Sequence, residues 1–176
     1  GIVHRLDKDT SGIMIVAKND KAHLDLSAQI QSKAAKRTYI AVVRGNIKED
    51  KGRITTQIAR DAKDRKKMAV VYQGGREAIT DYEVLERYGR YTIVRCHLLT
   101  GRTHQIRVHM EHIGHPLVGD PKYSPMKTCF AIDGQALHSE TLEFRHPRTG
   151  KIMKFSAPLP EDMDKIIVRL RNGQFT

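Results

Sequence analysis

The feature that most constrains the fold is a series of short segments that alternate apolar and polar residues, each closed by a turn. Residues 39–43 are β-branched and aromatic, and residues 53–60 follow a polar turn over 45–52. Within residues 78–85, Ile79 and Leu85 lie opposite Tyr82 and Val84, and the alternation resumes over 91–99 after Gly89. These last two segments predict an antiparallel pair. Residues 137–144 and 152–155 predict a hairpin around the turn 146–150. The apolar run 13–17 predicts a buried strand. Three helical patterns interrupt the strands. Asn19 or Asp20 opens one that runs to about Lys33, with Ala22, Leu26 and Ile30 on one stripe. Thr103 can cap a second through His112, burying Ile106, Met110 and Ile113, with Gly114 past its end. A third starts near Pro160, with Glu161 and Asp162 in its first turn and Met163, Ile166, Ile167 and Leu170 inward. The expectation is an α+β fold, a mostly antiparallel mixed β-sheet with a few packed helices, forming one domain over residues 1–176.

Charge narrows the class of partner. Lys and Arg number 31 against 20 Asp and Glu, a net charge of +11. A domain this basic suggests a polyanionic partner, nucleic acid first. Thirteen Lys or Arg and four Asp or Glu fall between Lys33 and Arg76, so that quarter carries a net +9. Arg60, Lys63, Arg65, Lys66 and Lys67 gather on or beside one loop, suited to gripping phosphates. No apolar run is long enough to span a bilayer. Cys96 and Cys129 are spaced unlike a disulfide framework or a zinc site, which fits a reducing cytoplasm.

Three strings are candidates for chemistry. His4-Arg5-Leu6-Asp7-Lys8-Asp9-Thr10-Ser11-Gly12 sets a carboxylate between cations in a glycine-containing loop. Arg5 and Lys8 favour an ionised Asp7, fit to act as nucleophile or base. Taken alone, the string also reads as an ordinary loop with a capping Asp. Gly101-Arg102-Thr103-His104-Gln105-Ile106-Arg107 is a strand-to-helix turn rich in donors, from which Arg107 can pair with a buried Asp. Its plainer reading is a capped surface helix. Lys36-Arg37-Thr38-Tyr39 puts a tyrosine after basic residues at a strand start, where it can stack on a base or simply join the core. His109, His112 and His115 run at i, i+3 rather than i, i+4 and are expected to hold no metal. No nucleotide-cofactor or serine-hydrolase motif occurs.

In order and spacing these strings resemble the RluA/RluD-type RNA pseudouridine synthases. So do Gly119-Asp120-Pro121-Lys122-Tyr123, Leu137-His138-Ser139 and Phe155-Ser156-Ala157-Pro158-Leu159-Pro160, so the likeness spans nearly the whole chain. The resemblance implies isomerisation of uridine in RNA to pseudouridine, without cofactor or metal. It implies Asp7 as the essential aspartate, Tyr39 stacking on the base and placed for late proton removal, and Arg107 pairing with the aspartate. Ile106 matches an apolar contact to the base, and Arg5 an arginine that fills the gap left by the flipped nucleotide. Arg102, Arg65, Lys66 and Lys67 are expected to hold RNA, with large-subunit (23S-type) ribosomal RNA as the partner. Catalytic domains of this kind usually carry further strands before the His4-Arg5-Leu6-Asp7 string, and many add an S4-type RNA-binding domain. The expectation is therefore a single catalytic-domain fragment over 1–176.

Overall fold

The computed structural model describes residues 1–175. In chain order the elements are β1 (Ser11–Gly12), α1 (Asp20–Gln31), β2 (Lys36–Arg44), β3 (Lys51–Arg60), β4 (Met68–Val71), β5 (Arg76–Arg87), β6 (Tyr91–Leu98), α2 (Gln105–His112), β7 (Leu137–Arg145), β8 (Ile152–Ser156) and α3 (Glu161–Arg171). One sheet contains all eight strands, in the order β1-β7-β2-β6-β5-β3-β4, with β8 also pairing with β7. Only β1 runs parallel to its neighbour; the other pairs are antiparallel. The expected α+β architecture and antiparallel pairing are thus present.

Strand β2 shows why the sheet has two cores. Tyr39, Ala41 and Val43 point to one face, where they pack with Val94, Cys96 and the α2 residues Ile106 and Met110. Ile40 and Val42 point to the other, against Tyr91, Ile93 and the α3 residues Met163, Ile166, Ile167 and Leu170. A strand covered on both faces reads as a continuous apolar run, which is how residues 39–43 appear. Each aliphatic side chain so buried contributes about 1.5–3 kcal/mol relative to exposure.

Helix α1 begins as its sequence dictates, with Asn19 Oδ1 accepting from the Ala22 amide at 2.9 Å. Two expectations are corrected, and one strand is added. Residues 13–17 do not form a buried strand. The ladder with β7 ends at Gly12; beyond it Val16 makes only an isolated antiparallel bridge with Ile2, and Met14 and Val16 remain 41% and 54% exposed. Thr103 does not cap α2: the helix is entered through His104 in a left-handed conformation (φ 57°) without a side-chain cap. Gln105 anchors that entry instead. Its Oε1 accepts from the Arg102 amide at 2.9 Å and from Thr100 Oγ1 at 2.7 Å. Its Nε2 donates to Ile79 O at 3.0 Å and Thr80 Oγ1 at 2.9 Å, which fastens the helix start to β5. Finally, residues 68–71, unassigned from the sequence, form β4 against β3.

Candidate active site

The Asp7 loop owes its place to the close parallel pairing of β1 with β7. Gly12 takes φ 113°, and a Cβ there would lie 2.2 Å from Ser139 O, so only glycine permits this approach. Ser11 Oγ lies 2.8 Å from His138 Nδ1. Inside the loop the Thr10 amide donates to Asp7 O at 3.0 Å. Gln135 Nε2 braces it from below, donating to Lys8 O at 2.7 Å and Thr10 Oγ1 at 2.9 Å.

From this loop the Asp7 side chain, 15% exposed, meets Arg107 Nη1 at 3.3 Å. Arg107 arises from the first turn of α2, as the sequence suggested, and its side chain is 4% exposed. Its main partner is Asp120, which faces it fork to fork: Nε to Oδ2 at 2.7 Å and Nη2 to Oδ1 at 2.9 Å. Asp120 Oδ1 also accepts from the amides of Lys122 (2.9 Å) and Tyr123 (3.1 Å). A bidentate pair backed by further amide donors is the arrangement in which a buried ion pair tolerates the loss of water. The Arg107 guanidinium is held above its ordinary pKa: burial pulls it down, and Asp120 and Asp7 together outweigh that pull.

Tyr123 extends the web. The Arg107 guanidinium lies over its ring at 5.1 Å. Its hydroxyl accepts from the Met68 amide at 2.8 Å and stands 2.7 Å from His104 Nδ1. Burial lowers the His104 pKa, so the ring is neutral at pH 7.

Above these groups opens a cavity of about 640 Å³, lined among others by Arg5, Asp7, Tyr39, Arg102, His104 and Ile106. Tyr39 and Ile106 are 5% and 4% exposed and form its apolar wall while also belonging to the core. Burial pushes the Tyr39 phenol above its ordinary pKa, against the pull of Arg37. Arg5 is exposed at the rim, and Arg102 Nε donates to Glu77 O at 2.7 Å. Five of the sequence candidates therefore line one cavity, with Arg107 directly beneath it.

Arg65, Lys66 and Lys67 are not among the cavity-lining residues; they occupy the loop between β3 and β4. That loop joins the buried web through Tyr123. Lys67 Nζ lies 5.9 Å from the Tyr123 ring centre, and Lys122 Nζ donates to Lys66 O at 2.9 Å. Asp120 was noted in the sequence only as part of a resembling string. An Asp before Pro121 carries the ordinary signature of a turn, and nothing local shows that it clamps Arg107. Of the three spaced histidines, His109 contacts Thr56 Oγ1 and Thr80 Oγ1 with its two ring nitrogens, at 2.9 and 2.8 Å, and His115 Nδ1 lies 2.8 Å from Arg44 O. No cluster of three potential metal ligands occurs among the described residues. No helix there is long and apolar enough to cross a membrane.

Comparison with known proteins agrees with this geometry. Residues 1–112 match the family model described as RNA pseudouridylate synthase. Over 98% of its length the chain is 56% identical to an uncharacterized RNA pseudouridine synthase, YlyB, of Bacillus subtilis, and it covers 56% of that protein. It is 46% identical to the ribosomal large subunit pseudouridine synthase D of Nitrosomonas europaea, covering 52% of it. The chain thus spans about half the length of the curated relatives it matches. Among solved structures it resembles the human RNA pseudouridylate synthase domain containing 1 protein, with a TM-score of 0.73, 26% identity, and coverage of 99% of this chain and 81% of that one. The human domain containing 4 protein shares the fold, with a TM-score of 0.79 at 22% identity, covering 97% of this chain and 75% of that one. Motifs, sheet, cavity and sequence likeness agree, and the chain belongs to the RNA pseudouridylate synthase family.

Proposed function

We propose that this chain is the catalytic unit of a cytoplasmic enzyme that isomerises uridines of large-subunit ribosomal RNA to pseudouridine. The observation that carries the reading is the Asp7 carboxylate: it faces the cavity while Arg107, itself locked by Asp120, holds it from beneath. The reaction breaks the bond from ribose C1′ to uracil N1 and forms one from C1′ to C5. The C5 proton leaves and N1 gains one, so atoms and charge balance without a co-reactant. Asp7 acts on the ribose, as nucleophile or as base. Arg107 places a positive charge against the carboxylate and fixes its position. The flat contacts of Tyr39 and Ile106 hold the uracil while it turns without fixing one orientation, and Tyr39 stands ready for the C5 proton. The target must leave the base stack to reach the cavity, at a cost of a few kcal/mol. Exposed Arg5 at the rim fills the gap and offsets part of that cost. Arg102 and the loop cations Arg65, Lys66 and Lys67 grip the RNA backbone.

The relatives named for the large ribosomal subunit support the choice of RNA. A non-catalytic RNA-binding module would share the charge, but a carboxylate held in its cavity would repel phosphate. The test is pseudouridine formation in a large-subunit ribosomal RNA transcript incubated with the protein. Product is expected. Binding without product on either transcript or ribosomal subunits would favour the binding module.

A further inference from the structure

Among the described residues, two buried side-chain nitrogens have no hydrogen-bond partner: His4 Nδ1 and Arg37 Nε. Both residues line the cavity. Buried polar groups are paired in nearly all native structures, so two orphans in one place call for an explanation. Both are donors. His4 Nε2 accepts the Ile15 amide at 3.0 Å, so the neutral ring carries its proton on Nδ1. Burial lowers the His4 pKa to about 4, with Arg37 adding to the effect, which agrees with a neutral ring.

Arg37 is the more telling of the two. It is 5% exposed, yet no carboxylate pairs with it, whereas Arg107 has two. Burial depresses its pKa; the neighbouring Tyr39 phenol opposes the effect only in part, and no carboxylate does. A buried guanidinium without a counter-charge is costly and persists where a ligand supplies the charge. The wall beside it is glycine: a Cβ on Gly101 would lie 2.8 Å from Arg37 Nη1. The cavity is thus polarised. Asp7, Arg107 and Asp120 sum to one negative charge at one wall, and Arg37 places one positive charge at another.

We propose that Arg37 and His4 form a phosphate subsite, which takes a phosphodiester flanking the uridine held over Asp7. The inference rests on the proposed function for its ligand. A uracil carbonyl would satisfy a donor but leave the charge uncompensated, whereas a phosphodiester supplies two anionic oxygens that match the planar fork. The polarity then orients the nucleotide, with its backbone toward Arg37 and its glycosidic bond toward Asp7.

The test is a cycle of Arg37→Gln against a single neutral methylphosphonate beside the uridine of a short synthetic single-stranded RNA, read by binding. Arg37→Gln is expected to weaken binding about tenfold or more. The slope of log affinity against log salt should fall by about 0.7. A methylphosphonate at one flanking linkage should weaken the unmodified protein similarly and cost the variant nothing further. Arg37→Lys should restore the salt slope but not the full affinity. Without RNA, Arg37→Gln should melt no lower than the parent, because it removes an unpaired buried charge. An unchanged salt slope, or equal methylphosphonate losses in both proteins, would overturn the subsite. A lower melting temperature with unchanged RNA affinity would make Arg37 structural. Pseudouridine formation by the unmodified protein judges the proposed function separately, since the cycle reads binding alone. Absence of RNA binding by that protein would overturn both.

Discussion

The charges beneath the cavity and the charges on the loop between β3 and β4 meet at Tyr123, yet they are held in opposite ways. Beneath the cavity every charge has a partner: Asp120 is fully buried and bidentate to Arg107, and Arg107 reaches on to Asp7. On the loop the acids serve the backbone. Asp61 Oδ1 accepts from the amides of Lys63 and Asp64 at 2.7 and 2.8 Å, and Asp64 Oδ1 accepts from the Lys66 amide at 2.9 Å. Among the described residues Lys63, Arg65, Lys66 and Lys67 therefore keep no carboxylate partner. Buried charge fixes geometry because leaving it unpaired is costly; exposed charge stays cheap and free for a polyanion. The first arrangement suits chemistry at one atom, the second suits holding a backbone of any sequence.

The sharpest way to break the contrast is Asp120→Asn. It strips Arg107 of its main counter-ion, so stability should fall by about 3 kcal/mol or more. For a chain of this size that lowers Tm by roughly 6–12 °C, measurable by calorimetry. A loss as small as that of a surface pair would mean Asp7 alone can hold the guanidinium. Tyr123→Phe severs the joint between the two regions. It orphans the Met68 amide and removes the hydroxyl partner of His104, at a cost of about 1–3 kcal/mol. Amide exchange at Met68 should speed up beyond the global change.

Buried histidines make the cavity region sensitive to acid. His109, on the helix that carries Arg107, has its pKa lowered by burial from 6.5 to about 4. The unfolded chain therefore binds a proton that the folded one refuses. The stabilising contribution is complete above pH 6.5 and is lost as pH falls toward 4. His4, lowered to about 4 as well, adds the same contribution, so urea titrations should show a loss on the order of 4 kcal/mol between pH 7 and pH 5, about 2 from each histidine. The smallest effect on stability belongs to the combined Arg65→Ala, Lys66→Ala and Lys67→Ala variant, expected within about 0.5 kcal/mol of the parent. Its RNA affinity should fall, with the salt slope shallower by up to about 2. An unchanged slope would remove the loop from the interface.

What could be read from the sequence follows the same division. Strands with a buried face announced themselves by alternation, and α3 by its inward stripe of Met163, Ile166, Ile167 and Leu170. Residues 13–17 misled because apolar content is not burial: a single bridge to Ile2 covers little, and Val16 stays in solvent. The four residues of β4 are too few to show a period beside a charged loop. At the α2 entry Thr103 fits the capping pattern, but Gln105 reaches β5, a contact no local rule encodes. For the site, charge logic anticipated that Arg107 would pair with an aspartate. That Asp120 takes its stronger face depends on a turn thirteen residues on, and the unpaired state of Arg37 is visible only in three dimensions.

The central claim is that Arg107 holds Asp7 for chemistry rather than for binding. The most direct test is Asp7→Asn, with pseudouridine formation and RNA affinity measured side by side on one transcript. The account predicts a loss of turnover of about 10³-fold or more, with affinity nearly unchanged. Equal loss of both, or retained turnover, would contradict it.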